Sequence, residues 1–167
     1  MLANVAAMYW FDTLHARMRN DGAFFPLGWG DREILDLSLV QLAQPPVPEF
    51  RCLSEVKNSS NIVREYRFAS PHPERRLPKE SEHARCLMVL PRNWDRATRM
   101  VIHLAATGDE GYADRHRYLA VPLLKHGIGS IILENPMYGI RKPSSQQGTY
   151  VETVSNLWLM GMSAVAE

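Results

Sequence analysis

The chain has 167 residues, of which 46% are hydrophobic and 22% charged, with a formal net charge of +1. That is enough for one domain with a true core, and the near-neutral balance excludes the electrostatic field needed to steer an obligatory nucleic-acid partner. Two cysteines, Cys52 and Cys86, allow at most one bridge, and Cys86 in its apolar run reads as a reduced, buried thiol.

The chain opens on M-L-A-N-V-A-A-M-Y-W-F, apolar but without a leading basic residue or a small-x-small cleavage site soon after, so it does not read as a signal peptide. Asp12 and Asp21 weigh against a transit peptide and Arg17 and Arg19 for one, which leaves a mitochondrial destination open. No window reaches the roughly 20 apolar residues of a membrane span. Helical spacing of Val5, Met8, Tyr9, Leu14 and Met18 predicts a first helix to about Arg19, whose aromatic content leaves peripheral membrane contact open. F-F-P-L-G-W-G then reads as a joint, and Asp31 as the cap of a second helix through about Ala43, ended by Pro45, Pro46 and Pro48.

The β part is expected from Asn61. I-V-R-E-Y-R-F alternates apolar and charged residues, as a half-exposed edge strand does. A-R-C-L-M-V-L, M-V-I-H and Ser130 to Glu134 supply three more strands, four in all. A helix from Ala113 to about His126 precedes Gly127, with Pro122 expected at a kink or a break. Glu152 to Glu167 reads as a last helix without a terminator.

Both short apolar runs that end at His103 and Glu134 close in turn-forming clusters, and ligands of open α/β sheets gather at such strand ends. After His103, A-A-T-G-D is small and rich in backbone N–H groups, as an oxyanion loop requires. The other reading is a tight turn with Asp109 as helix cap. At the second end Asn135, Tyr138 and Arg141 stand in E-N-P-M-Y-G-I-R-K-P. Arg141 either meets an anionic ligand or pairs with Glu134 or Asp109 to hold the two loops together. The spacings of His103, Asp109, His116 and His126 fit no metal pattern, and no nucleotide-binding glycine motif is present, so neither a metal nor a cofactor is expected. Gly161-Met162-Ser163-Ala164-Val165 matches the start of a G-x-S-x-G nucleophile elbow but lacks its final glycine and a preceding strand. Ser163 is therefore read as a small residue in helix packing.

On G-W-G-D-R-E near Trp29, H-L-A-A-T-G-D at His103, L-E-N-P-M-Y-G-I-R-K-P at Leu133 and S-N-L-W-L-M-G at Ser155, the chain resembles the α/β-hydrolase domain-containing protein 18 family. The resemblance implies an α/β class with the N-terminal portion of an α/β-hydrolase fold: a mostly parallel sheet flanked by helices, here residues 49–167, preceded by a helical segment, residues 1–48. It implies a hydrolase of ester or lipid substrates. One oxyanion donor then falls on Ala105, Ala106 or Thr107, with His103, Asp109, Asn135, Tyr138 and Arg141 as strand-end support. The family pattern has glycine where Ala106 stands, a substitution expected to strain the loop if that position needs positive φ. In this fold the elbow serine, the acid and the histidine all come later in chain order, so none of the triad is expected within these residues, and the chain by itself is expected to be inactive. A four-stranded sheet with its next edge unpaired is expected to be marginal or aggregation-prone. The rival reading is a non-catalytic, truncated or degenerate relative acting as a binding or scaffold module.

Overall fold

A computed structural model describes residues 25–37, 47–71, 76–106 and 108–167. The first predicted helix, the second beyond Leu37 and position 107 lie outside the described residues. Among the described residues five strands form one sheet: β1 (Arg51–Lys57), β2 (Asn61–Ala69), β3 (His83–Pro91), β4 (Met100–His103) and β5 (Gly129–Leu133), in the order β1-β2-β3-β5-β4. The sheet is mixed. β1–β2, β2–β3 and β3–β5 pair antiparallel, and among the described residues the parallel pairing expected of most of the sheet is confined to β4–β5.

β1 was not expected. Its register shifts between Cys52 and Ser54, so Leu53 is the extra residue of a bulge that erases the two-residue alternation by which a strand is read. With β1 in place, β2 is an interior strand and not the predicted edge.

Each face of the sheet buries a different apolar set. Val89 and Ile132 pack with Ala120, flanked by Val63, Leu87 and Leu124. This places the connection between β4 and β5 against that face: α2 (Ala113–Arg115), a π segment (His116–Ala120) and α3 (Val121–Leu124). The π register answers the expectation at Pro122. The N–H of Val121 reaches back to His116 O, and the widened turn takes up the proline, whose ring would otherwise meet the carbonyl four residues earlier. Gly127 closes the helix in the left-handed region (φ 68), with its own N–H on Leu124 O and that of Ile128 on Leu123 O, a Schellman ending.

On the other face Phe68, Ala84, Cys86 and Leu133 form a second cluster. The last helix, α4 (Val154–Ala166), starts at Thr153, whose Oγ1 accepts from Asn156 N at 3.1 Å. A short α1 (Arg32–Leu35), capped by Asp31 as expected, sets Ile34 against Leu159 and Met160 in a third cluster with Leu77, Met137, Tyr138 and Val151. Leu27, Val154 and Ser155 exchange backbone bonds with Glu152, Gly28 and Trp29. The G-W-G-D and S-N-L-W stretches, distant in sequence, thereby lie side by side.

Among the described residues β4 has a partner strand on one side only, and Val101, Ile102 and Leu104 are 38%, 64% and 57% exposed. An apolar edge of this kind templates pairing between copies. The polypeptide of residues 1–167 is expected to self-associate in sedimentation velocity runs and Ile102→Lys to reduce that association; a native monomer that the substitution leaves unchanged would count against it.

Candidate active site at the ends of two parallel strands

Parallel strands end in main-chain carbonyls and N–H groups that the ladder no longer satisfies, and here two buried arginines take up the carbonyls. Arg115, at the end of α2 and 5% exposed, donates from Nη1 to His103 O (3.1 Å) at the end of β4 and to Leu133 O (2.5 Å) at the end of β5. Its Nη2 donates to Gly111 O (2.7 Å), and its Nε lies 2.7 Å from Asp109 Oδ2. One guanidinium therefore fixes both strand ends and the loop between β4 and α2. Asp109 is an ion-pair partner and not the helix cap: α2 begins at Tyr112 without a side-chain cap.

Arg141, 1% exposed, makes the second clamp. It donates to Glu134 O (2.6 Å) and Ser81 O (3.0 Å), and binds both carboxylate oxygens of Glu167 at 2.8 and 2.5 Å. The expected pairing with the carboxylate of Glu134 or Asp109 is corrected by this geometry. The return of α4 brings Glu167 to the guanidinium, while Asp109 is held by Arg115. Ser81 Oγ closes the ring, donating to Arg141 O (2.7 Å) and accepting from Met137 N (2.9 Å). Met137 sits at φ 64 with no exposed surface, a left-handed conformation uncommon for a side-chain-bearing residue and held here by its surroundings.

Asn135 Nδ2 donates to Ala105 O (3.3 Å), tying one loop to the other. The loop after β4 turns through a bond from Asp109 N to Ala106 O (3.0 Å). Among the described residues of this turn the positive φ falls on Gly108 (φ 81), where a Cβ would meet the Tyr150 ring at 3.3 Å. Ala106 is not in the left-handed region, so alanine there carries no backbone strain. Among the described residues neither Ala105 nor Ala106 donates its N–H to another residue. Position 107 lies outside the described residues.

Glu134 Oε1 accepts from Gly111 N at 3.0 Å, and a Cβ at Gly139 would collide with that same oxygen, so glycine is required there. Burial raises the Glu134 carboxyl above its ordinary value, opposed by the Gly111 N–H and by Arg141. Tyr138 is fully buried, and burial raises its phenol.

His103 Nε2 and Ser130 Oγ lie 3.0 Å apart, a pair that resembles a base and its nucleophile. Ser130 is wholly buried within β5, so no substrate carbon can reach its oxygen. Burial and the nearby Arg115 hold the imidazole below its usual pKa. The pair is part of the packing between β4 and β5. Ser163 is also buried, and its Oγ donates to Leu159 O (2.8 Å) within α4, as serine does mid-helix. His116 lies in the π segment with a buried Nε2, while His126 is exposed beyond the helix.

Three residues of this site escape sequence reasoning. Ser81 and Arg115 stand in polar stretches, and Glu167 is a single acid after the apolar run M-S-A-V-A at the end of the last helix; all three read as solvated. The available signal was indirect, since strand-end carbonyls at a buried rim require donors.

The family model for alpha/beta hydrolase domain containing 18 matches residues 22–167. The chain belongs to this family. Among solved structures, a candidate acetyl xylan esterase from Bacteroides fragilis matches with a TM-score of 0.51 at 16% identity, covering 92% of this chain and 45% of that one. A glucuronoyl esterase from Solibacter usitatus matches with a TM-score of 0.44 at 12% identity, covering 86% and 53%. The chain thus spans about half the length of these structures. The fold is that of an α/β-hydrolase-like domain, and in this hydrolase domain containing 18 member two of the motif blocks of the sequence are the loops after β4 and β5, tied together by Arg115 and Asn135, while Arg141 anchors the second loop to Ser81 and Glu167.

The buried Arg141–Glu167 pair predicts a large stability effect. Arg141→Met leaves a buried carboxylate and two main-chain carbonyls without their donor, and about 3–5 kcal/mol should be lost in urea denaturation. A loss under about 1 kcal/mol, the value of an exposed pair, would show that the clamp does not hold the rim. Glu134 predicts a pH effect. A carboxyl raised on folding contributes its full stability below the unfolded value, 4.5, and loses it as pH rises through the folded value. Glu134→Gln keeps an acceptor for Gly111 and removes the ionisation. Its Tm relative to native should therefore climb as pH rises from below 4.5 to neutrality; a relative Tm that falls over that range would refute the assignment.

Proposed function

We propose that this chain carries the oxyanion loop of a serine hydrolase acting on ester or lipid substrates, with the nucleophile, histidine and acid supplied by sequence other than these 167 residues. The observation that carries the reading is the loop after β4. Ala105 and Ala106 present N–H groups with no partner among the described residues, bear no side chain larger than a methyl, and are backed by Asn135 and Arg115. Catalysis would run through an acyl-enzyme. A serine oxygen attacks the ester carbonyl carbon, the carbonyl oxygen becomes an oxyanion facing these N–H groups, and the alkoxide leaves with a proton from the histidine. Water then releases the acid by the reverse sequence. Each fixed N–H donor contributes on the order of 3 kcal/mol to such a transition state.

The open side of β4 supports the same reading. The exposed edge adjoins an apolar cavity of about 600 Å³ lined by Phe50, Met88, Ile102, Leu104 and Val165. Leu104 belongs both to that surface and to the run that enters the oxyanion loop. Chain that completes the sheet and covers this surface would arrive beside the loop.

The test is made on the product of the complete reading frame, with a fluorophosphonate probe and p-nitrophenyl esters of rising acyl length. Labelling and turnover are expected. Ala106→Pro should lower kcat by about 10²–10³-fold with the fold retained, and Ser163→Ala should leave labelling unchanged. Absence of labelling in a folded product would favour the non-catalytic binding or scaffold reading, and loss of labelling in Ser163→Ala would overturn the exclusion of that serine.

A further inference from the structure

On β1, β2 and β3, three arginines stand directly opposite one another. Arg51 pairs in register with Arg67, and Arg67 with Arg85, so all three side chains leave the same face of the sheet. Like charges in directly opposed antiparallel positions repel and destabilise the sheet. Of the three, Arg85 is relieved by Glu65, whose Oε1 lies 3.0 Å from its Nη2. Among the described residues no carboxylate forms an ion pair with Arg51, Arg67 or Lys79. Arg67, Arg85 and Lys79 line a cavity of about 620 Å³ together with Arg141 and His83. It lies at the rim where β3 begins and the loop after β5 passes. Arg85 and Arg141 each keep a buried Nε–H that no hydrogen-bond acceptor meets. Glu80, the one carboxylate among the described residues that line the cavity, accepts from Ser144 N at 3.2 Å.

We propose that this cavity is an oxyanion-binding site that takes the phosphate group of a ligand, held by Arg67 and Lys79 with Arg85 and Arg141 behind them. An oxyanion between the arginines converts their mutual repulsion into attraction. The cations converge from two strands, the turn at Lys79–Ser81 and the loop after β5. That spread suits a tetrahedral group with several acceptor oxygens and a charge near −2 better than a planar carboxylate, which one guanidinium satisfies from one side. Leu53 and Ile140, 39% and 58% exposed, form an apolar rim beside the cations. The phosphate can therefore arrive on a soluble ligand or on a lipid headgroup, and the two sources share this chemistry.

Two probes applied to the full chain separate them. Inorganic phosphate is titrated calorimetrically and by its effect on Tm, since a ligand that binds only the folded state raises it. Phosphatidylcholine vesicles, with and without phosphatidic acid, are tested by co-sedimentation. Saturable binding of phosphate assigns a soluble source, and binding confined to phosphatidic acid vesicles assigns a headgroup; either supports the site. The double variant Arg67→Gln with Lys79→Gln should weaken that binding about tenfold or more, the loss of about 1.4 kcal/mol or more expected from removing charge-assisted bonds. Both side chains are exposed, so the circular dichroism spectrum and the Tm without ligand should stay near native. Arg96→Gln, an exposed arginine outside the cavity, is the control and should change nothing. Binding of neither probe, or equal weakening by Arg96→Gln, overturns the proposal, the second because it reports general surface charge.

Discussion

The rim of this sheet depends on how its last main-chain carbonyls find donors. A strand that ends inside the protein leaves polar groups that water cannot reach, and each one left unpaired costs about as much as a hydrogen bond lost. Arg115 and Arg141 meet that need with side chains that are almost wholly buried. Each guanidinium spreads fixed donors over several carbonyls, and each also meets one carboxylate, Asp109 or Glu167. A lysine at either position would supply the charge without the planar fork. The loops that leave β4 and β5 are therefore positioned by the two clamps more than by their own sequence.

That division explains what was legible in the sequence. The strands at 83–91, 100–103 and 129–133 could be read because short apolar runs end in turn-forming clusters, and α4 because its apolar positions recur without proline. The chemical interest of the strand ends was legible too, since H-L-A-A-T-G-D and E-N-P-M-Y-G are poor choices for anything but tight, close-packed loops. β1 was hidden by its bulge at Leu53 and by its exposure along its whole length. The acid that meets Arg141 was hidden because a buried ion pair between distant residues leaves no periodic trace. Glu167 resembles any polar residue at a helix end until the fold places it beside the guanidinium and Ser70.

The same contrast separates the faces of the sheet. The side covered by α2, the π segment and α3 is closed by Ala120 and Leu124, whereas the side bearing Phe68, Cys86 and Leu133 opens into a large apolar cavity. In a hydrolase-like domain that spans about half the length of its solved counterparts, the finished layer and the open one lie on opposite sides of the same five strands. The motif loops emerge at the border between them. Packing fixes their described residues there, and among the described residues no strand pairs with the outer edge of β4.

The second clamp also sets an order of events during folding. Arg141 reaches Ser81 across 60 residues of chain and Glu167 across 26, so its partners are brought together only after long loops have closed, at an entropic cost that local contacts do not carry. A chain emerging from the ribosome makes the β1–β2–β3 meander well before Glu167 exists. Until α4 swings back, Arg141 is a cation without its acid beside a half-made rim, and water must solvate both. The clamp on the loop after β5 therefore closes later than the β1–β2–β3 meander, and until it does that rim stays hydrated and unlocked.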